Sequence, residues 1–137
     1  MASVTLQNLT KTYAGGILKA VDGVSLDIED GEFLVLVGPS GCGKSTLLRI
    51  MSGFLTPREG TVVLGDQNIT SCNPAERLAL GISTLPQGRS VFPELSVEEN
   101  LRLGAWQIRA DRGHFTSAVE AMFDRYPTLK PLRGRMA

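Results

Sequence analysis

Apolar and polar positions alternate near the start of the chain, with Val4, Leu6 and Asn8 on one side of a first stretch and Val24, Leu26 and Ile28 on one side of a second. A period of two marks a strand with one packed and one solvated face, so both stretches are expected to be strands, paired antiparallel. Ala14-Gly15-Gly16 between them predicts a loop, and Asp30-Gly31 a turn. The pattern then changes. Phe33-Leu34-Val35-Leu36-Val37 is continuously apolar and predicts a buried strand, followed by a helix over Lys44 to Ser52 that Gly53 ends.

Pro57-Arg58-Glu59-Gly60 predicts a turn, Thr61 to Leu64 a short strand, and Ile82 to Leu85 another. Between the last two, Asn73 is placed to cap a helix with Pro74 in its first position and Glu76 completing a capping box, and Gly81 ends it. Ser96-Val97-Glu98-Glu99 predicts a second box, for a helix whose apolar face runs through Val97, Leu101, Ala105 and Ile108. Phe115, Val119, Phe123 and Tyr126 recur at helical spacing as a core stripe. Pro127 stops that helix, and the basic tail Lys130 to Arg135 is expected to be solvated.

Composition narrows the function classes. A chain of 137 residues has the length of one domain. Its 14 basic and 14 acidic residues cancel, which gives no footprint for nucleic acid or an anionic membrane. No apolar run is long enough to cross a bilayer, and no charged-then-apolar leader opens the sequence, so a soluble, intracellular chain is expected. Cys42 and Cys72 lack metal-ligand spacing and are expected to be reduced thiols.

The chemistry is concentrated in Gly38-Pro39-Ser40-Gly41-Cys42-Gly43-Lys44-Ser45-Thr46, a G-x-x-x-x-G-K-[ST] sequence between a strand-like and a helix-like segment. Glycines let the backbone approach a nucleotide closely, and successive N–H groups with the start of a helix bind phosphate oxygens. Lys44 supplies charge to the β- and γ-phosphates and Ser45 a hydroxyl for Mg²⁺. The expected ligand of this loop is therefore a nucleoside triphosphate with Mg²⁺. Cys42 fills a variable position of the loop as a small side chain.

Further residues carry a family resemblance. Tyr13 after Leu9-Thr10-Lys11-Thr12, the run Val24 to Ile28, Gly31-Glu32, the phosphate loop, and then Gly53 and Gly60 follow the order found in the nucleotide-binding domains of ABC transporters, which this chain resembles along its whole length. The resemblance implies an α/β P-loop NTPase fold: an incomplete ABC-type ATPase core with an antiparallel β subdomain and the start of a helical subdomain. Residues 1–137 would form the N-terminal part of one nucleotide-binding domain. It implies that the nucleotide is ATP, bound with Mg²⁺, and that Tyr13 stacks on adenine, against the alternative of an ordinary strand-edge tyrosine. It also implies that Gln87 is the Q-loop residue, sensing Mg²⁺ and the γ-phosphate.

Within the family, Pro86 to Leu101 and Ala118 to Pro127 are similar to ATPases of branched-chain amino-acid importers, although that group often has Glu where Gln87 stands. Gly31 to Gly53 looks more like sugar and polyamine importers. The resemblance implies partners: transmembrane subunits docked on Gln87 to Leu95 and a second nucleotide-binding subunit in the complete form, on the cytoplasmic face of the plasma membrane. In the docking loop, Phe92 and Leu95 are equally readable as apolar residues capping the core under the Ser96 helix.

The LSGGQ signature, the Walker B Asp-Glu and the switch histidine of the family do not occur in these residues. Asp124 keeps company with a helical stripe and is rejected as a Walker B acid, and His114 is expected to be a surface loop residue. No catalytic residue is assigned. The expectation for these 137 residues by themselves is nucleotide or partner binding without turnover, and apolar strand edges at Phe33–Val37 and Ile82–Leu85 that face water or pair wrongly. An unrelated P-loop kinase or GTPase is disfavoured, because no N-K-x-D guanine-reading motif is present.

Overall fold

A computed structural model describes the chain except for Met1, Ala2, Ala14, Gly16, Pro86 and Arg89. The parts of the predicted 14–16 loop and of the Pro86 to Leu101 stretch that fall on those residues lie outside the description. The chain divides into two units, Met1–Thr84 and Leu85–Ala137.

The first unit is built on a four-stranded antiparallel sheet in the order β2-β1-β3-β4, from β1 (Val4–Tyr13), β2 (Leu18–Ile28), β3 (Glu59–Leu64) and β4 (Gln67–Asn68). The alternation predicted for β1 and β2 is present, with one correction. Asn8 does not continue the inward row. It takes a left-handed conformation (φ 48°), the register shifts between Leu6 and Leu9, and Leu9 becomes fully buried beside Leu6. Asparagine tolerates that backbone, and Ser25 Oγ secures it by accepting the Asn8 N–H at 2.9 Å. The predicted turn at 57–60 is shorter than expected, because Glu59 and Gly60 already pair in β3.

Helix α1 (Lys44–Met51) buries Leu47 and Ile50 against the sheet residues Leu6, Leu9, Val21 and Val62 and against Ile69, which together form the core of this unit. Helix α2 (Pro74–Ala79) begins with the capping box read from the sequence: Asn73 Oδ1 accepts from Ala75 and Glu76 N–H, and Glu76 Oε2 accepts from Asn73 N–H at 2.7 Å. Its burial is inverted. Leu78 and Leu80 are exposed, and Arg77 is 1% exposed.

Neither Phe33–Val37 nor Ile82–Leu85 is a strand. Burial still alternates along 33–37: Leu36 packs on the core while Phe33, Val35 and Val37 are 92%, 60% and 83% exposed. A strand needs a neighbour to satisfy its N–H and C=O groups, and among the described residues none pairs with this segment. The buried strand is thus corrected, and the expectation of apolar edges facing water holds.

In the second unit, α3 (Val97–Gly104) carries its capping box: Ser96 Oγ accepts from Glu99 N–H and Glu99 Oε2 accepts from Ser96 N–H at 2.8 Å. The helix ends earlier than the apolar spacing suggested, and Trp106–Ile108 is a 3-10 turn. Helix α4 (Arg112–Arg125) starts at the Asp111 cap, so His114 is helical rather than in a loop, though exposed. Val119 and Phe123 are buried as the stripe required. Tyr126 is not: it sits at the helix end, 51% exposed.

The basic tail is solvated at Lys130 and Arg135, as expected, but Arg133 is drawn onto the helices. Arg133 donates to Glu98 at 2.7 Å and to Glu120 at 2.6 Å and lies over the Phe123 ring, while the carbonyls of Arg135 and Arg133 accept from Val97 and Glu98 N–H. A planar fork that meets two carboxylates outcompetes hydration of a lone charge. Its donors hold the Glu98 carboxyl below the usual carboxylate range and raise the Arg133 value. A depressed folded value means that Glu98 contributes its stabilisation fully above about pH 4.3 and loses it as pH falls through the lower folded value. The protection of the Val97 and Glu98 amides, taken as exchange relative to the intrinsic rate at each pH, should therefore hold from neutral pH to about pH 5, then fall in acid ahead of that in the Phe123 region. Arg133→Ala should abolish that pH step.

Candidate functional site

The loop from Gly38 to Gly43 joins the unpaired apolar segment to α1. Gly43 is the N-cap of α1 at φ 94°, with no side chain capping the helix, so the first N–H groups of α1 keep their capacity to donate to a ligand. Only glycine fits there. A Cβ on Gly43 would lie 2.1 Å from the carbonyl oxygen of Ala20, which presses the loop onto β2. Gly38 is similarly close-packed: a Cβ there would meet Cys42 Sγ at 2.7 Å.

Lys44 folds back across the loop. Its ammonium donates to Gly38 O at 2.7 Å and Pro39 O at 2.8 Å and lies 3.2 Å from Cys42 Sγ. That contact stabilises the thiolate and lowers the pKa of the exposed Cys42 thiol. Ser45 is exposed and Thr46 half-buried on the first turn of α1, and Pro39, Ser40 and Gly41 are exposed around the loop. The sequence motif is thus assembled in one place.

Beside the loop lies a depression of about 350 Å³, lined by Lys19, Ala20, Val21, Asp22 and Val24 of β2 and by Val37, Cys42 and Lys44. Lys19 and Asp22 pair across its rim at 3.0 Å. Sequence reasoning missed these β2 residues, which carry no motif of their own and become neighbours of the loop only through the Gly43–Ala20 contact. Tyr13 ends β1 opposite Leu18, 39% exposed, and is not among the lining residues. Gln87 lies in the second unit, exposed in a bend.

The donor set suits an anion more than a bare metal ion. Among the described residues no group of three or more His, Cys, Asp or Glu side chains could hold a metal. Mg²⁺ takes few protein ligands when phosphate oxygens supply the rest, so one exposed hydroxyl at the loop, that of Ser45, is compatible with it. Asp124 belongs to the second unit, on α4, where Lys130 pairs with it at 2.8 Å.

Comparison with known proteins gives a consistent picture. The family model for ABC transporters matches residues 21–134. The chain is 39% identical over 121 residues to the sn-glycerol-3-phosphate import ATP-binding protein of Bordetella pertussis, covering 88% of this chain and 32% of the relative. It is 48% identical over 117 residues to the spermidine/putrescine import ATP-binding protein of Marinobacter nauticus, covering 85% and 30%. Among solved structures, it is similar to a nucleotide-free ATP-binding cassette from an ABC transporter, with a TM-score of 0.79 and 30% identity over 100% of this chain and 58% of that one. It also resembles the dimeric post-hydrolysis cassette MJ0796 bound to ADP and Pi, with a TM-score of 0.74 and 28% identity over 97% of this chain and 61% of that one. The chain spans about a third of the length of these curated relatives. No helix among the described residues is long and apolar enough to cross a membrane.

Gly43→Ala tests the loop geometry directly. Forcing a Cβ into a left-handed position costs about 1–3 kcal/mol before the clash with Ala20 is counted. The melting temperature should fall by several degrees, and the Ala20 and Lys44 amide resonances should move together.

Proposed function

The chain belongs to the ABC transporter family, and from that premise we propose that its first unit binds ATP with Mg²⁺ as the nucleotide-binding part of an importer ATPase. The observation that carries this is the loop: Gly43 packed against β2, an uncapped helix start behind it, and Lys44 folded over its mouth. In this reading the N–H groups of the loop and of the first turn of α1 bind the phosphates. Lys44 exchanges its carbonyl partners for phosphate oxygens, and Ser45 ligates Mg²⁺, which neutralises phosphate charge when bound. Tyr13 stacks on adenine, and Gln87 is the Mg²⁺ and γ-phosphate sensor.

The curated relatives named above import sn-glycerol-3-phosphate and spermidine/putrescine. They agree with the resemblance of Gly31–Gly53 to sugar and polyamine importers better than with the branched-chain amino-acid likeness of Pro86–Leu101. The proposed cargo class is therefore a polyol phosphate of the glycerol-3-phosphate kind or a polyamine, handled by transmembrane partner subunits. The cytoplasmic membrane face and a second nucleotide-binding subunit follow from the same premise.

A second reading concerns turnover. Asp124, the one acid with a superficial claim to polarise water, is engaged by Lys130 on α4. For these 137 residues alone we therefore propose nucleotide binding without hydrolysis.

The docking loop for the transport subunit is proposed at Gln87 to Leu95. In support, Val91 and Phe92 are 50% and 58% exposed, which argues against Phe92 as a core cap, while Leu95 is half-buried. Asn100 holds the loop: its Oδ1 accepts from Phe92 N–H at 2.8 Å and its Nδ2 donates to Phe92 O at 3.0 Å.

Calorimetry should show that Lys44→Ala weakens ATP–Mg²⁺ by about 1.5–3 kcal/mol, the worth of a charge-assisted phosphate contact. Unchanged affinity would remove the phosphate-binding reading. Tyr13→Ala should weaken ATP by about 1–3 kcal/mol and leave tripolyphosphate binding intact, whereas equal losses for both would favour a strand-edge role. In a complete transporter, Phe92→Ser should preserve folding and ATP binding but uncouple the transport subunit. A fall of several degrees in melting temperature with normal coupling would return Phe92 to the core.

A further inference from the structure

The guanidinium of Arg77 is a buried cation, and among the described residues no carboxylate pairs with it. Its side chain leaves α2 and enters the core, with Nη1 donating to Ile50 O and Met51 O at 2.7 Å each. Nη2 donates to Ile69 O at 2.8 Å and Thr70 O at 3.2 Å, and Nε to Cys72 O at 3.1 Å. All five acceptors are main-chain carbonyls. Two belong to the last turn of α1, whose carbonyls point away from the phosphate loop and carry the negative end of the helix dipole. The other three lie in the 69–72 segment that follows β4. Burial lowers the Arg77 pKa, but an arginine stays charged, so the cation meets the partial charges of five carbonyls.

Gly53 confirms that the fit is close. At φ 80° it ends α1, and a Cβ there would lie 3.0 Å from Arg77 Cδ, Arg77 Nε and Cys72 O. Helix α1 has 8 residues and is thus about 12 Å long, with the phosphate loop at one end and Arg77 at the other. Its sides are fixed by Leu47 and Ile50 in the core, its loop end rests on Ala20 O through Gly43, and its far end is tied by Arg77.

We propose that Arg77 is a positioning residue for the phosphate loop, holding α1 in axial register by tying its C-terminal carbonyls to the 69–72 segment. The inference rests on the reading of Gly38–Thr46 as a phosphate loop. Lysine cannot replace the fork, because one ammonium with three donors does not reach five carbonyls on two segments.

The test uses Arg77→Lys and Arg77→Met in the whole chain, with Val4→Ala as a control that loosens the sheet at a half-buried position outside the buried residues that seat α1. Without nucleotide, the Gly41, Gly43 and Lys44 amide resonances should shift and broaden in both Arg77 variants, while the β1 amides stay in place. Val4→Ala should leave the loop resonances unmoved even at an equal loss of melting temperature. Tripolyphosphate affinity should fall by about tenfold in Arg77→Lys, as for a binding group displaced by a fraction of an ångström, and further in Arg77→Met. Equal loop responses in Arg77→Lys and Val4→Ala would reduce Arg77 to general stability and overturn the proposal.

If the wild-type chain binds no phosphate, the functional reading fails, yet the nucleotide-free amide response still decides the role of Arg77. If neither Arg77 variant folds, native-state hydrogen exchange of the wild type decides. The Arg77 Nε–H and the Leu47 N–H, which donates to Gly43 O, should then open in one cooperative step. Separate opening of the two would overturn the proposal.

Discussion

A cation buried among carbonyls is the constraint on which the first unit depends. Removing a guanidinium from water is tolerable only when its donors are met, and Arg77 meets that demand with main chain instead of an acid. The choice matters for geometry. An Arg–carboxylate pair would fix two side chains, whereas five carbonyls fix two backbone segments. The same contacts close the end of α1, where Ser52 Oγ also donates to Leu48 O at 2.8 Å, so nearly every last-turn carbonyl is occupied. Helix α1 and the 69–72 segment are thereby locked at one end, and the Gly38–Gly43 loop projects from the other.

The loop is held asymmetrically. Toward β2 it is clamped, because Gly43 rests on Ala20 O with no space for a side chain. On its entry side the chain arrives through Phe33–Val37, whose outward residues are bare. An uncharged run rich in branched and aromatic residues, left without a neighbour, is the kind of edge that a further strand covers. The two sides of the loop thus differ: one is clamped onto β2, while among the described residues no strand pairs with the segment leading into the other.

Much of this was legible from the chain alone, for local reasons. Both capping boxes, at Asn73/Glu76 and Ser96/Glu99, formed as read, because their partners lie three residues apart and nothing distant competes. The tight turn of the Gly38–Gly43 loop was legible because its glycines encode backbone geometry. Failures came where a residue's role depends on a remote partner. Continuous apolarity at Phe33–Val37 signals a strand, but pairing is a property of the neighbour. Arg77 falls among leucines on a short helix, and charge alone gave no sign that it would be buried while Leu78 and Leu80 faced out. Arg133 looked like part of a solvated tail until Glu98 and Glu120 converged on it. The β2 wall of the loop, Lys19 to Asp22, had no signature because it is a neighbour through folding and not through sequence.

The central claim is that Gly38–Thr46 is a formed phosphate site in the folded first unit. Its most direct test is an amide chemical-shift titration of the intact chain with Mg²⁺ and ATP. The account predicts saturable shifts concentrated on Gly41 to Thr46 and on Ala20, with little change along β3 and β4. Absence of saturable shifts in a folded chain, or shifts centred elsewhere with the Gly41 to Thr46 amides unmoved, would contradict it.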